Sequence, residues 1–156
     1  MRPRASAPPA SLTSLGPIRL PLWQDTSLCL LLAGLVLSGS VWLVYHHLVP
    51  LASDIGAHPA EAWSLRLHGA LAMAVLVFVG MLLPAHAWPA WRRNLNRGSG
   101  GVMLAVMLLL TVTGYLLYYA GLPAIRETAS WLHWGLGLAV PALLVAHMLL
   151  GGRWRR

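Results

Sequence analysis

Seven histidines are the side chains of this sequence with the widest chemical reach: His46, His47, His58, His68, His86, His133 and His147. A neutral imidazole offers one lone pair to a metal or a proton and one N–H to a neighbour. Four of the seven fall in pairs on two long apolar segments, His68 with His86 and His133 with His147. Ionisable groups are costly in such surroundings and mark functional positions. His133 and His147 are 14 residues apart. On an ideal helix that spacing returns to within about 40° of the same face after a rise of about 21 Å. His68 and His86 are 18 apart, which is about five whole turns and about 27 Å. Pro84 lies two residues before His86 and can kink the helix and alter that spacing.

The elements that carry these residues follow from composition. Of 156 residues, 58% are apolar and 10% charged, and the mean hydropathy is +0.66. A water-soluble domain has about a quarter charged residues, so this chain must lean on lipid. Four apolar runs, 26–49, 63–83, 101–120 and 129–150, are long enough to cross a hydrocarbon core, which takes roughly 20 helical residues. Pro50, Pro59, Pro89, Asn94, Asn96, Gly98, Gly100, Gly121 and Pro123 punctuate the connections. Trp42, Trp63, Trp88, Trp91, Trp131, Trp134 and Trp154 fall near the run ends, as an interfacial aromatic belt requires. The fold class is therefore all-α, an integral membrane four-helix bundle occupying 23–152. A Pro- and Arg-rich stretch, 1–22, reads as a disordered tail. The first apolar run exceeds the 7–15 residues of a signal-peptide core, so it reads as a retained helix.

The net charge of +7 comes from eleven arginines and no lysine. Arg2, Arg4, Arg19, Arg92, Arg93, Arg97, Arg153, Arg155 and Arg156 fall on one side of a four-crossing chain, against Arg66 and Arg126 on the other. The positive-inside rule then places both termini in the cytoplasm (N-in/C-in). Charge distributed between apolar runs excludes a nucleic-acid groove. Cys29 stands alone, so it makes neither a disulfide nor a cysteine metal site.

With this topology the second and fourth helices both run inward. His68 and His133 then share an outer level, and His86 and His147 an inner one. Two facing histidines at one level can supply both axial ligands of a haem iron. Two levels give two b-type haems stacked across the bilayer, with all four histidines as iron ligands. Gly69, Ala72, Gly114, Gly135 and Gly137 leave room for a flat macrocycle or for close helix contact. Arg66 on the outer side and Arg92, Arg93 and Arg153 on the inner are placed to pair with propionates, as is Arg126. His46, His47 and His58 lie at or beyond the outer end of the first helix. Their expected role is interfacial, near a quinone or donor, with His46 or His47 as substitute ligands.

The run Trp131-Leu132-His133-Trp134-Gly135, with His147 fourteen residues after His133, resembles the haem-binding helix of the di-haem membrane cytochromes b. The His68-Gly69 start of the second run and Gly114-Tyr115-Leu116-Leu117-Tyr118-Tyr119 before the fourth resemble small bacterial four-helix cytochrome b-like proteins. The resemblance covers about residues 60–152. It implies electron transfer through two bis-histidine b haems in a bacterial inner (cytoplasmic) membrane, between a quinol pool or donor and a redox partner outside the cytoplasm. Unlike some relatives, this chain has no histidine in the middle of the first helix, and the 18-residue spacing in the second is unusual.

No carboxylate pair, phosphate loop or activated nucleophile is present, so an electron-transfer protein or oxidoreductase subunit is expected rather than a stand-alone enzyme. The alternatives are a haem-free metal- or proton-handling transporter and a structural subunit of a larger complex.

Overall fold

The computed structural model describes residues 20–48 and 58–153. Helix α1 spans Leu22–His47 and α2 spans Pro59–Leu82. A π-helical turn, Leu83–Ala87, carries α2 directly into a short α3, Trp88–Arg92. Helices α4 (Arg97–Tyr119) and α5 (Pro123–Arg153) complete the chain. Most of the 1–22 tail, together with Asp54, Trp154, Arg155 and Arg156, lies outside the described residues.

Four helical stretches are long and apolar enough to cross a membrane: Leu22–His47, Pro59–Arg92, Arg97–Tyr119 and Pro123–Gly151. The four crossings expected from the sequence are therefore present, with longer bounds. The second was expected to end at 83, ahead of Pro84. Proline has no N–H to give the preceding turn, and the structure answers with a π turn, in which Trp88 N–H bonds the Leu83 carbonyl. The helix thus runs on to Arg92 instead of stopping. The fourth begins at Pro123 rather than 129 because proline suits the first helical position. His58 caps α2, its Nδ1 accepting from Ala60 N–H at 3.1 Å. Asn94 and Asn96 take the left-handed backbone that turns α3 into α4, a conformation asparagine tolerates.

The closest helix pairs are α1 with α2 and α4 with α5, while α1 touches α5 more sparsely. The bundle is two hairpins set side by side. Its buried core is thin: Leu32, Val75, Val106 and Val140, one from each crossing. Large apolar side chains such as Leu30, Leu37, Met73, Val77 and Leu108 point outward. In water that surface would be untenable, whereas in hydrocarbon it is the solvated one. Val75 lies between His68 and His86 in sequence, Val140 between His133 and His147. The apolar core therefore forms a layer separating two histidine levels.

Candidate functional site at the facing histidines

The level toward the His47 end of α1, labelled outer, is built by one helix from each hairpin, and the level toward the α3–α4 turn is labelled inner. His68 of α2 and His133 of α5 face each other with ring centroids 6.1 Å apart and planes at 70°. Each ring leans on the other helix of its own hairpin in the same way. His68 Nδ1 lies 3.0 Å from the Leu35 carbonyl and 3.1 Å from Ser38 Oγ on α1. His133 Nδ1 lies 2.9 Å from Thr113 Oγ1 on α4, and the Leu110 carbonyl also bonds this ring. Ser38 and Thr113 are each 4% exposed, so these are buried polar contacts, which are costly to leave unmade.

A glycine completes each cradle. A Cβ on Gly39 would sit 3.2 Å from His68 Cε1, and one on Gly114 would sit 3.3 Å from His133 Cε1. Both are tighter than ordinary carbon contacts, so the missing side chain is what admits the ring. The outer site repeats one device twice, with Leu35, Ser38, Gly39 and His68 in one hairpin and Leu110, Thr113, Gly114 and His133 in the other.

At the inner level His147 Nδ1 is 3.0 Å from Ser99 Oγ of α4. A Cβ on Gly100 would lie 3.8 Å from His147 Cε1, an ordinary contact. His86 is carried on the π turn. Its Nδ1 is buried with no hydrogen-bond partner. The structure thus brings His68 and His133 face to face, whereas His86 and His147 are held separately and differently.

Of the arginines named in the sequence, Arg66 and Arg93 both lie near the helix ends. The Arg66 guanidinium lies over the Trp63 ring, 5.0 Å from its centre. Arg93 is exposed at the end of α3. Gly69 and Gly135 have nothing within 4 Å of an added Cβ, so neither is pressed against a histidine. His46 and His47 stay at the outer end of α1. His46 Nδ1 pairs with Glu61 Oε1 at 2.7 Å and stacks on Trp42 at 4.5 Å. Tyr45 stacks on His58 at 4.5 Å. This cluster clamps α1 to α2 at the membrane surface.

Reading the histidines alone misses the hydroxyl partners, which join residues 20, 30 and 48 positions apart. A signal for them does exist in the sequence. Ser38-Gly39 and Thr113-Gly114 are hydroxyl–glycine steps inside apolar runs, and Ser99-Gly100 is a third just ahead of one. Ser99 and Thr113 are 14 apart, the spacing of His147 and His133, as antiparallel packing of α4 on α5 requires. Among the described residues no three His, Cys, Asp or Glu side chains converge as a metal site; His68 and His133 face each other as a pair. Compared with known proteins, the chain matches no family model, no curated protein and no solved structure.

Proposed function

We propose that this chain is a membrane electron carrier that holds two b-type haems, one on His68 and His133 and one on His86 and His147. The observation that carries the proposal is the outer pair. A metal held between two imidazole nitrogens would set the ring centroids about 6 Å apart, from bonds of about 2 Å and roughly another 1 Å from nitrogen to ring centre. The 6.1 Å between His68 and His133 matches that span. The donor set fits as well. Both Nδ1 atoms are engaged by backbone and hydroxyl groups, which turns Nε2 toward the gap, and axial ligation needs two such nitrogens. Support also comes from the wide setting of the two hairpins, whose histidine-bearing helices α2 and α5 are not among the closely packed pairs.

Bound there, haem supplies a reversible one-electron couple. The protein's own part would be to hold the group between two histidine rings and surround it with apolar side chains, which would favour electron relay over substrate chemistry. The Leu32, Val75, Val106 and Val140 layer spaces the two levels along the bilayer normal. Four crossings with the arginine-rich segments on one side support cytoplasmic termini, in a bacterial inner membrane. A quinol or soluble donor and an extracytoplasmic acceptor are the partners this orientation fits. Arg66 and Arg93 remain near the two surfaces where propionates would emerge.

The test is a reduced-minus-oxidised visible spectrum of the purified protein with a pyridine haemochrome count. Sharp low-spin b-type bands at two haems per chain are expected, with one haem lost in His68→Ala and in His133→Ala. A colourless preparation from haem-replete cells would sink the proposal and leave metal or proton handling, or a structural role, in front.

A further inference from the structure

A neutral imidazole carries its proton on one nitrogen, and the partner of that nitrogen decides which lone pair is free. A carbonyl oxygen cannot donate. The 3.0 Å contact between His68 Nδ1 and the Leu35 carbonyl therefore requires the proton on Nδ1. Ser38 agrees. Its single hydroxyl proton is directed to the backbone, 2.7 Å from the Gly34 carbonyl and 3.1 Å from that of Leu35. Only a lone pair is left for His68, so the ring donates. Thr113 repeats the arrangement, with its proton 2.7 Å from the Leu109 carbonyl and its lone pair 2.9 Å from His133 Nδ1. At the outer level both rings thus present a bare Nε2 to the gap.

The inner level has no such lock. Among the described residues no carbonyl takes the Ser99 proton, so that hydroxyl can either give to or accept from His147 Nδ1 at 3.0 Å. Both tautomers of His147 are satisfied. His86 Nδ1 is buried against nothing that can bond it, so no contact favours the tautomer that ligation needs.

On the di-haem reading above, we infer that Ser38 and Thr113, with the Leu35 and Leu110 carbonyls, are positioning residues that lock His68 and His133 as ligands and make the outer level the tight one. The inner level is the weak one. There His86 would hold the group least firmly, and a small nitrogen base such as imidazole would compete with it.

Two measurements on the full chain test this separately from the haem reading. In the haem-free protein, ¹⁵N-histidine spectra in lipid bilayers report which ring nitrogen is protonated. His68 and His133 should show Nδ1–H alone, and His86 both tautomers. Titration with haemin should then give two phases, the outer at least roughly tenfold tighter. Ser38→Ala and Thr113→Val should weaken the tight phase by roughly ten- to a hundredfold, the usual effect of removing a ligand's hydrogen-bond partner. Thr113→Ser should restore it, and imidazole should compete only for the weak phase. An Nδ1 without its proton on His68 or His133, two phases of equal affinity, or variants that titrate like the native chain would overturn the inference. If haemin does not bind yet the tautomers are as stated, the haem reading and the ranking of the levels fall together, and the lock alone stands.

Discussion

The outer and inner histidine levels are made of the same residue types and differ in how firmly each ring is held. At the outer level His68 and His133 are each gripped on three sides, by a carbonyl, a hydroxyl and a glycine face. At the inner level His147 has one hydroxyl and His86 has no partner for Nδ1. The difference traces to α2. Its outer half is regular helix closely packed on α1, so His68 falls opposite Ser38. Its inner end passes through the π turn at Pro84, and His86 is carried on that turn. One fold thus presents a firmly held pair of histidine rings and a loosely held one, about 20 Å apart along α5 by the rise of an ideal helix.

The hardest way to break the outer level is to fill its glycine faces. A Cβ at Gly114 already meets His133 Cε1 at 3.3 Å, and a leucine there has three more carbons to place. Gly114→Leu should expel the ring and remove one of two haems per chain in the haemochrome count, while the protein still inserts and folds. Retention of both haems would mean that the glycine does not seat the ring.

A milder version sharpens the contrast. Gly39→Ala and Gly114→Ala place a methyl at 3.2 and 3.3 Å from an imidazole carbon, whereas Gly100→Ala places it at 3.8 Å from His147. The first two should loosen haem at the outer level several-fold and broaden its low-spin bands. The third should leave the spectrum unchanged and match or exceed the native chain in thermal unfolding, since alanine favours helix over glycine. Equal effects at all three positions would erase the distinction between levels.

Much of this architecture was legible in the sequence. The four crossings follow from hydropathy and length, and the assignment of histidines to two depths follows from 14- and 18-residue spacings. What was not legible is tertiary. Ser38 and Thr113 look like ordinary hydroxyls in apolar runs, and only packing of α1 on α2 and α4 on α5 turns them toward a histidine. The route past Pro84 was equally hidden, because a missing N–H can be answered by a kink, a break or a π turn. Arg66 shows a third limit: an arginine next to a cofactor candidate also has Trp63 one turn away, and the structure gives it the aromatic face.

Straightening the π turn is the next perturbation in size. Pro84→Ala restores an N–H at the point where the α-helical ladder is interrupted. It should let α2 continue as α-helix and rotate His86 relative to His147. Only the inner level should respond, with a shifted or weakened second haem phase and the outer bands unmoved. A change in the outer bands would show the two levels to be mechanically coupled through α2.

The smallest expected effect lies at the surface end of α1 and α2. His46 and Glu61 meet at 2.7 Å, but His46 is 46% exposed. An ion pair or hydrogen bond in that setting contributes at most about 1 kcal/mol. Tyr45 of α1, stacked on His58 at the cap of α2, holds the same helix ends together without it. Glu61→Gln should therefore lower thermal stability in detergent by a degree or two and leave both haem phases in place. Loss of the tight phase in Glu61→Gln would instead make this clamp part of the outer site. The grip on His68 would then depend on how α1 is pinned at its end as well as on Ser38, and the outer level would owe its rigidity to the hairpin as a whole.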